Sequence, residues 1–188
     1  INNYLDLTFA DENLTLRKER VVMSGPEESY RFSFPNKILN VFIDLDESVS
    51  DATIDNYAIF ETSGTHNFLY TDFSVIIHDI KGKMIIQSIM NHIGAQNSEH
   101  ESYHISEKKY WEIRAASTGK TDLEGTFFVS MSENELQEDF DELIFLYRPD
   151  INTEFEPVKT EFMQFDDDQG LVIVKDLKFG HYAVAVEK

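Results

Sequence analysis

The sequence has no cysteine, which excludes disulfide staples, thiol nucleophiles and cysteine-held zinc. Glycine occurs 8 times and always singly, so no glycine-rich loop is available to cradle a phosphate. Gly64 is not followed by a serine in the frame of a nucleophile elbow, which removes the usual serine-hydrolase signature. Cationic residues are scarce: 16 Lys+Arg stand against 35 Asp+Glu, a net charge of −19. That field repels nucleic-acid backbones and anionic lipid. No apolar run approaches the roughly 18 residues of a spanning helix, so neither a nucleic-acid partner nor membrane insertion by this segment is expected. No signal peptide is visible, and a start at Ile1 reads as part of a longer polypeptide.

What is present is β-strand pattern. Tyr30-Arg31-Phe32-Ser33-Phe34 alternates aromatic with polar residues, placing three rings on one face. A strand over 38–43 follows the Pro35-Asn36 turn signal. Segments 73–78 and 84–86 flank Asp79-Ile80-Lys81-Gly82 and predict a hairpin. Further strands fit 110–114, 126–131, 143–148, 171–174 and 182–186. The one helical signal is a capping box, Ser132 to Glu135, predicting a turn or two that ends before Phe140. The expected fold is all-β: two tandem antiparallel β-sandwiches of Ig-like type, with at most one short helix. Their expected extents are 1–95 and 103–188, joined by a polar linker within 91–107.

His100-Glu101-Ser102-Tyr103-His104 matches the H-E-x-x-H pattern of zinc peptidases. That chemistry needs both histidines one helical turn apart on a helix, with the glutamate as general base. The flanking residues do not favour a helix, and the position 19 residues after His104 is Leu123, beside Glu124. A solvated loop is the favoured reading, with His100 and His104 as outside candidates for metal binding, and no catalytic or cofactor-binding residue assigned. Asp44 to Asp55 loosely matches a calcium loop, but Val49 replaces the required glycine and Ala52 fills position 9. Asp166-Asp167-Asp168-Gln169-Gly170 reads as a β-turn. Asp139, Asp141 and Glu142 offer glycosidase-like carboxylates with no spacing to fix their separation. Tyr57, Phe60, Phe68 and Tyr70 would form a sugar-stacking platform if exposed together, whereas Trp111, in phase with Ile113, is expected in the core. Asn13-Leu14-Thr15 is a glycosylation sequon of meaning only in a eukaryotic secretory pathway.

Two stretches carry a resemblance. The first runs from Leu7-Thr8-Phe9-Ala10-Asp11 through Leu14 to Glu19 and Tyr30 to Pro35. The second comprises 110–113, 143–148 and Leu177-Lys178-Phe179-Gly180-His181-Tyr182 to Val186. Together they resemble the β-rich, non-catalytic C-terminal region of exported bacterial zinc aminopeptidases of the gluzincin type. The resemblance implies an extracytoplasmic location, in the periplasm or at the cell surface. It also implies a scaffold or interaction role beside a catalytic domain, with no enzymatic activity of this segment and no cofactor. The family's zinc ligands and general base match no position here. The expected partner is that catalytic domain or another protein. The alternative is a glycan- or surface-binding module of a bacterial lipoprotein.

Overall fold

The structure, a computed structural model, describes residues 3–46, 49, 52–136 and 140–188. Strands follow in the order β1 (Asn3–Asp11), β2 (Leu16–Met23), β3 (Ile38–Ile43), β4 (Thr53–Phe60), β5 (Gly64–Phe68), β6 (Phe73–Ile80) and β7 (Met84–Asn91). After them come β8 (Tyr103–Ser117), β9 (Thr121–Ser130), β10 (Ile144–Arg148), β11 (Glu156–Pro157), β12 (Glu161–Gln164), β13 (Gln169–Val174) and β14 (Gly180–Glu187). All pairings between them are antiparallel. The fold is therefore all-β, as the alternating sequence predicts.

Three sheets stack. The six-stranded sheet has the order β11-β10-β14-β8-β7-β4 and the five-stranded sheet β12-β13-β9-β6-β5. The main core lies between them, with Val75 and Ile77 of β6, Met84 and Ile86 of β7, Trp111 and Ile113 of β8, Phe127 of β9 and Tyr182 of β14. The small sheet β2-β1-β3 covers part of the other face of the six-stranded sheet, where Ala10 and Phe42 pack on Ile85 and Ala116. Beside it, Ala95 and Phe155 from the connecting segments close over Ile105, Leu146, Ala183 and Ala185. That double coverage explains why β7 and β14 are buried almost throughout. A strand apolar on both faces needs cover on both.

The expected boundary between 1–95 and 103–188 is redrawn by the pairing. β7 pairs with β8 along its whole length, and β6 pairs with β9, so both large sheets draw strands from both segments. Of the expected linker 91–107, Asn91 ends β7 and 103–107 begin β8. The predicted hairpin over 73–86 is likewise replaced. β6 and β7 lie in different sheets, and the Asp79–Gly82 connection carries the chain across the sandwich. Residues 30–34 keep the predicted alternation without joining a sheet. Their rings face Phe9, at 4.8 Å for Phe32 and 4.5 Å for Phe34.

The capping box gives turns over 131–135 rather than a helix, and the described helical element is a 3-10 turn, Phe140–Glu142. Asp168 explains the difference. Its carboxylate accepts from the Ser132 amide at 2.7 Å and from the Ser130 and Ser132 hydroxyls, so Ser132 is engaged across the chain instead of capping. The Ser132 amide, foremost, holds the Asp168 carboxyl below its ordinary range.

Candidate functional site

The five-stranded sheet turns Val75, Ile77, Phe127, Val129, Val172 and Val174 inward. By alternation its other face carries Ser74 and Ile76 of β6, Thr126 and Phe128 of β9, and Leu171 and Ile173 of β13. Register aligns Met163 of β12 with Leu171 and Leu171 with Phe128 in one apolar row. Phe165, just past β12, stacks on Phe128 at 6.5 Å. At the other side of Phe128 lies the 69–72 turn, where Leu69 and Tyr70 project outward. Leu69, Tyr70, Asp72, Ser74, Phe128 and Leu171 are among the residues that line one shallow cleft here, with Asn67 at its edge. Tyr70 is 77% exposed, Leu69 61%, Phe165 56% and Met163 52%. A strip of this composition is unusual on a soluble surface, where apolar side chains ordinarily occur scattered. Its far end is charged: Glu124 and Glu161 share Lys175, at 3.1 and 3.3 Å.

The 69–72 turn is held firmly. Tyr70 and Asp72 both adopt positive φ, 69° and 51°, a left-handed conformation unfavourable for non-glycine residues unless surrounding contacts impose it. Those contacts centre on fully buried Thr71. Its carbonyl accepts from the Trp111 indole at 2.8 Å, and its hydroxyl is 2.9 Å from that of Ser88. Trp111 thus lies in the core, as its spacing predicts. The same turn aims Asp72 at Lys109, whose Nζ lies 2.6 Å from Asp72 Oδ2 and 3.2 Å from Glu133 Oε2.

Lys109 is not among the residues expected from the sequence. The available signal is its i, i+2 spacing from Trp111, which puts a lysine in phase with a core indole. A β-bulge obscures this. Between the pairs Ala185↔Ile105 and Ala183↔Tyr110, β8 spends more residues than β14, so the faces exchange. Buried Ser106 holds the bulge, its hydroxyl accepting from the amides of Lys108 and Lys109.

The sequence-predicted residues fall elsewhere. His100 and Glu101 lie in an irregular segment and His104 on β8, so the helical spacing that an H-E-x-x-H zinc site needs is not formed. His100 Nδ1 accepts from the Ser102 amide, Nε2 faces Glu154 at 3.4 Å, and the ring stacks on Tyr103. His104 is exposed. They border an acidic cleft with Glu99, Glu107, Glu154 and Lys188. Among the described residues, no three His, Asp or Glu side chains converge as a metal site. Asp44 accepts from the Val49 amide at 2.8 Å, while Glu47, Ser48, Ser50 and Asp51 of that calcium-like window lie outside the described residues. Asp139 does too. Asp141 and Glu142 sit in the 3-10 turn. Asp166 accepts from the amides of Asp168 and Gln169 within the turn predicted at 166–170. The four platform aromatics do not assemble: Phe68 is in the core, Phe60 packs against it, Tyr57 is on β4 of the other large sheet, and Tyr70 alone faces the strip.

Outside the strip, another charge cluster lies where β8 meets β14. Arg114 Nε donates to Glu112 at 2.5 Å, and His181 Nε2 is 3.6 Å from the same oxygen. Burial pushes the Glu112 carboxyl up, but His181 and Arg114 more than offset it and hold it at about 2. Arg148 Nε donates to His181 Nδ1 at 3.2 Å, and its guanidinium covers the Phe155 ring. Glu112 is thus paired on two sides, whereas, among the described residues, buried Arg148 contacts no carboxylate in an ion pair and its Nη2 has no hydrogen-bond partner.

Compared with protein-family profiles, with characterised proteins and with solved structures, the chain has no match. Function is therefore argued from the surface just described.

Proposed function

We propose that this chain is a non-catalytic interaction module that docks a protein partner on the outer face of its five-stranded sheet. The observation that carries the reading is the strip Leu69–Tyr70–Phe128–Leu171–Met163–Phe165, its ends exposed and Phe128 and Leu171 half-buried on a molecule of charge −19, where Asp72, held by Lys109, is the carboxylate that lines the cleft. Acidic Asp166, Asp167 and Glu161 border it, so the complementary surface is apolar at its centre and basic at its rim. The resemblance to the tail of exported zinc aminopeptidases supplies the occupant: the catalytic domain of the same polypeptide, with this segment as scaffold. The test is hydrogen exchange over 69–74, 126–128 and 161–173 in the isolated chain and in the full polypeptide its gene encodes. Slower exchange in the full polypeptide, lost in a Leu69→Asp/Phe165→Asp variant, supports the reading. Equal exchange overturns it.

One observation favours the alternative, a glycan-binding module. Tyr70 stands exposed beside the side chains of Asn67 and Ser74, which meet at 2.8 Å, pairing a stacking ring with hydrogen-bonding groups. On a glycan array this reading expects binding by the isolated chain that disappears with Tyr70→Ala. Absence of binding removes it.

A further inference from the structure

The cluster left unused by the docking reading is Lys109 with its two carboxylates, and its construction is unusual for an ion pair. Lys109 enters the sandwich from the six-stranded sheet with its side chain only 4% exposed. Its Nζ lies 5.3 Å from the centre of the Trp111 ring. Asp72 comes from the opposite sheet, at the entrance to β6, and Glu133 from the 131–135 turn after β9. Three separate devices converge on this contact. The bulge in β8 turns Lys109 inward, left-handed backbone at Asp72 presents its carboxyl, and the Trp111–Thr71–Ser88 bonds fix that backbone. Bulges and imposed left-handed residues cluster where a side chain must be aimed for chemistry.

We propose that Lys109 and Asp72 are the two halves of an intramolecular amide cross-link that joins the two large sheets, with Glu133 as the proton relay. With Nζ 2.6 Å from Asp72 Oδ2, the carboxyl carbon is at most one bond length further, so only a small approach separates the amine from attack geometry. One proton passes from Nζ to the Asp72 carboxylate across this short contact, giving a neutral amine beside a carboxylic acid. The amine lone pair then attacks Asp72 Cγ and forms the C–N bond. Glu133, 3.2 Å from Nζ, takes the second nitrogen proton and returns it to the departing hydroxyl. The C–O bond breaks and one water leaves. No oxidant, reductant or activating group is consumed: amine plus acid gives amide plus water. The side chains of Asp72 and Glu133 are 33% and 58% exposed, so the water exits directly to solvent. Holding both groups within one fold supplies the effective concentration that condensation in water otherwise lacks. The product replaces a buried charge pair by a neutral link and leaves Glu133 charged at the surface.

The test is the intact mass of the purified, folded chain after prolonged incubation at neutral pH, followed by proteolysis and fragmentation. The expected result is a mass lower by one water than the sequence requires, with a branched peptide joining residues 109 and 72. Asp72→Ala and Lys109→Arg should each restore the full mass. Glu133→Gln, which keeps the shape of the relay residue, should leave the chain folded at full mass. A wild-type chain at its full sequence mass overturns the proposal, and so does a water loss mapped to any other residue. Undiminished cross-linking in Glu133→Gln overturns the relay role.

Discussion

Phe127 shows what a single core residue contributes. Its ring meets Phe73, Phe145 and Tyr182 at 4.9 Å and Trp111 at 5.5 Å, and it is fully buried. Phe127→Ala is expected to cost about 3–5 kcal/mol, since the surrounding rings cannot collapse into the void; urea unfolding measures this. Glu112 makes a different prediction. Its folded pKa of about 2 lies below the ordinary 4.5, so the group stabilises the fold above pH 4.5, and that contribution is lost as pH falls toward 2. The size is up to about 3 kcal/mol from the shift alone. Glu112→Gln should therefore lower stability at neutral pH and flatten the acid limb of a urea-midpoint profile between those values. An unchanged acid limb in the variant would remove the effect from Glu112. At this scale alternation was informative, because it places Trp111 inside from local spacing alone. Arg114, two residues from Glu112 on the same face, is a local partner, but His181 arrives from β14 and could not be read locally.

Strands were legible where their apolar face repeats every second residue, as in β6, β9 and β13, because burial on one side leaves that trace. Their pairing was not. The Asp79–Gly82 turn has hairpin chemistry, yet it connects two sheets, because β5 and β9 take the ladder positions beside β6. The 30–34 segment has strand alternation without a ladder, its rings packed on one another, on Phe9 and under Arg17 instead. Close fit also matters at the β12–β13 hairpin. A Cβ on Gly170 would lie 2.4 Å from the Phe140 ring and 2.8 Å from the Met163 carbonyl. Gly170→Ala should thus cost about 1–3 kcal/mol by overpacking and loosen β12. Faster hydrogen exchange over 161–164 checks this, and unchanged exchange there would show that the hairpin absorbs the methyl.

For the molecule as a whole, the crossing of both large sheets through the 95–103 region predicts one cooperative unfolding event. Calorimetric and van't Hoff enthalpies should agree, and fragments 1–95 and 103–188 prepared separately should lack stable sheet structure by circular dichroism. Two resolved transitions would instead show that the halves fold alone. The net charge of −19 adds a salt dependence. Self-repulsion opposes compaction, so raising ionic strength through the physiological range should raise Tm as the Debye length shortens toward about 8 Å. A Tm that falls with salt would mean that the ion pairs outweigh the repulsion.

The sequence by itself determined the class of structure. The period-two pattern and abundant phenylalanine leave burial of sheet faces as the available source of stability, and the absence of cysteine and of glycine-rich loops removes whole chemistries. Only the tertiary structure decided which strands share a sheet, that the H-E-x-x-H residues lie off any helix, that the strip around Phe128 stays uncovered, and that Lys109 meets Asp72 and Glu133. The physical reason is range. Side-chain alternation is set by neighbours in the chain, whereas register, coverage and charge pairing depend on contacts between residues distant in sequence, which no local pattern encodes.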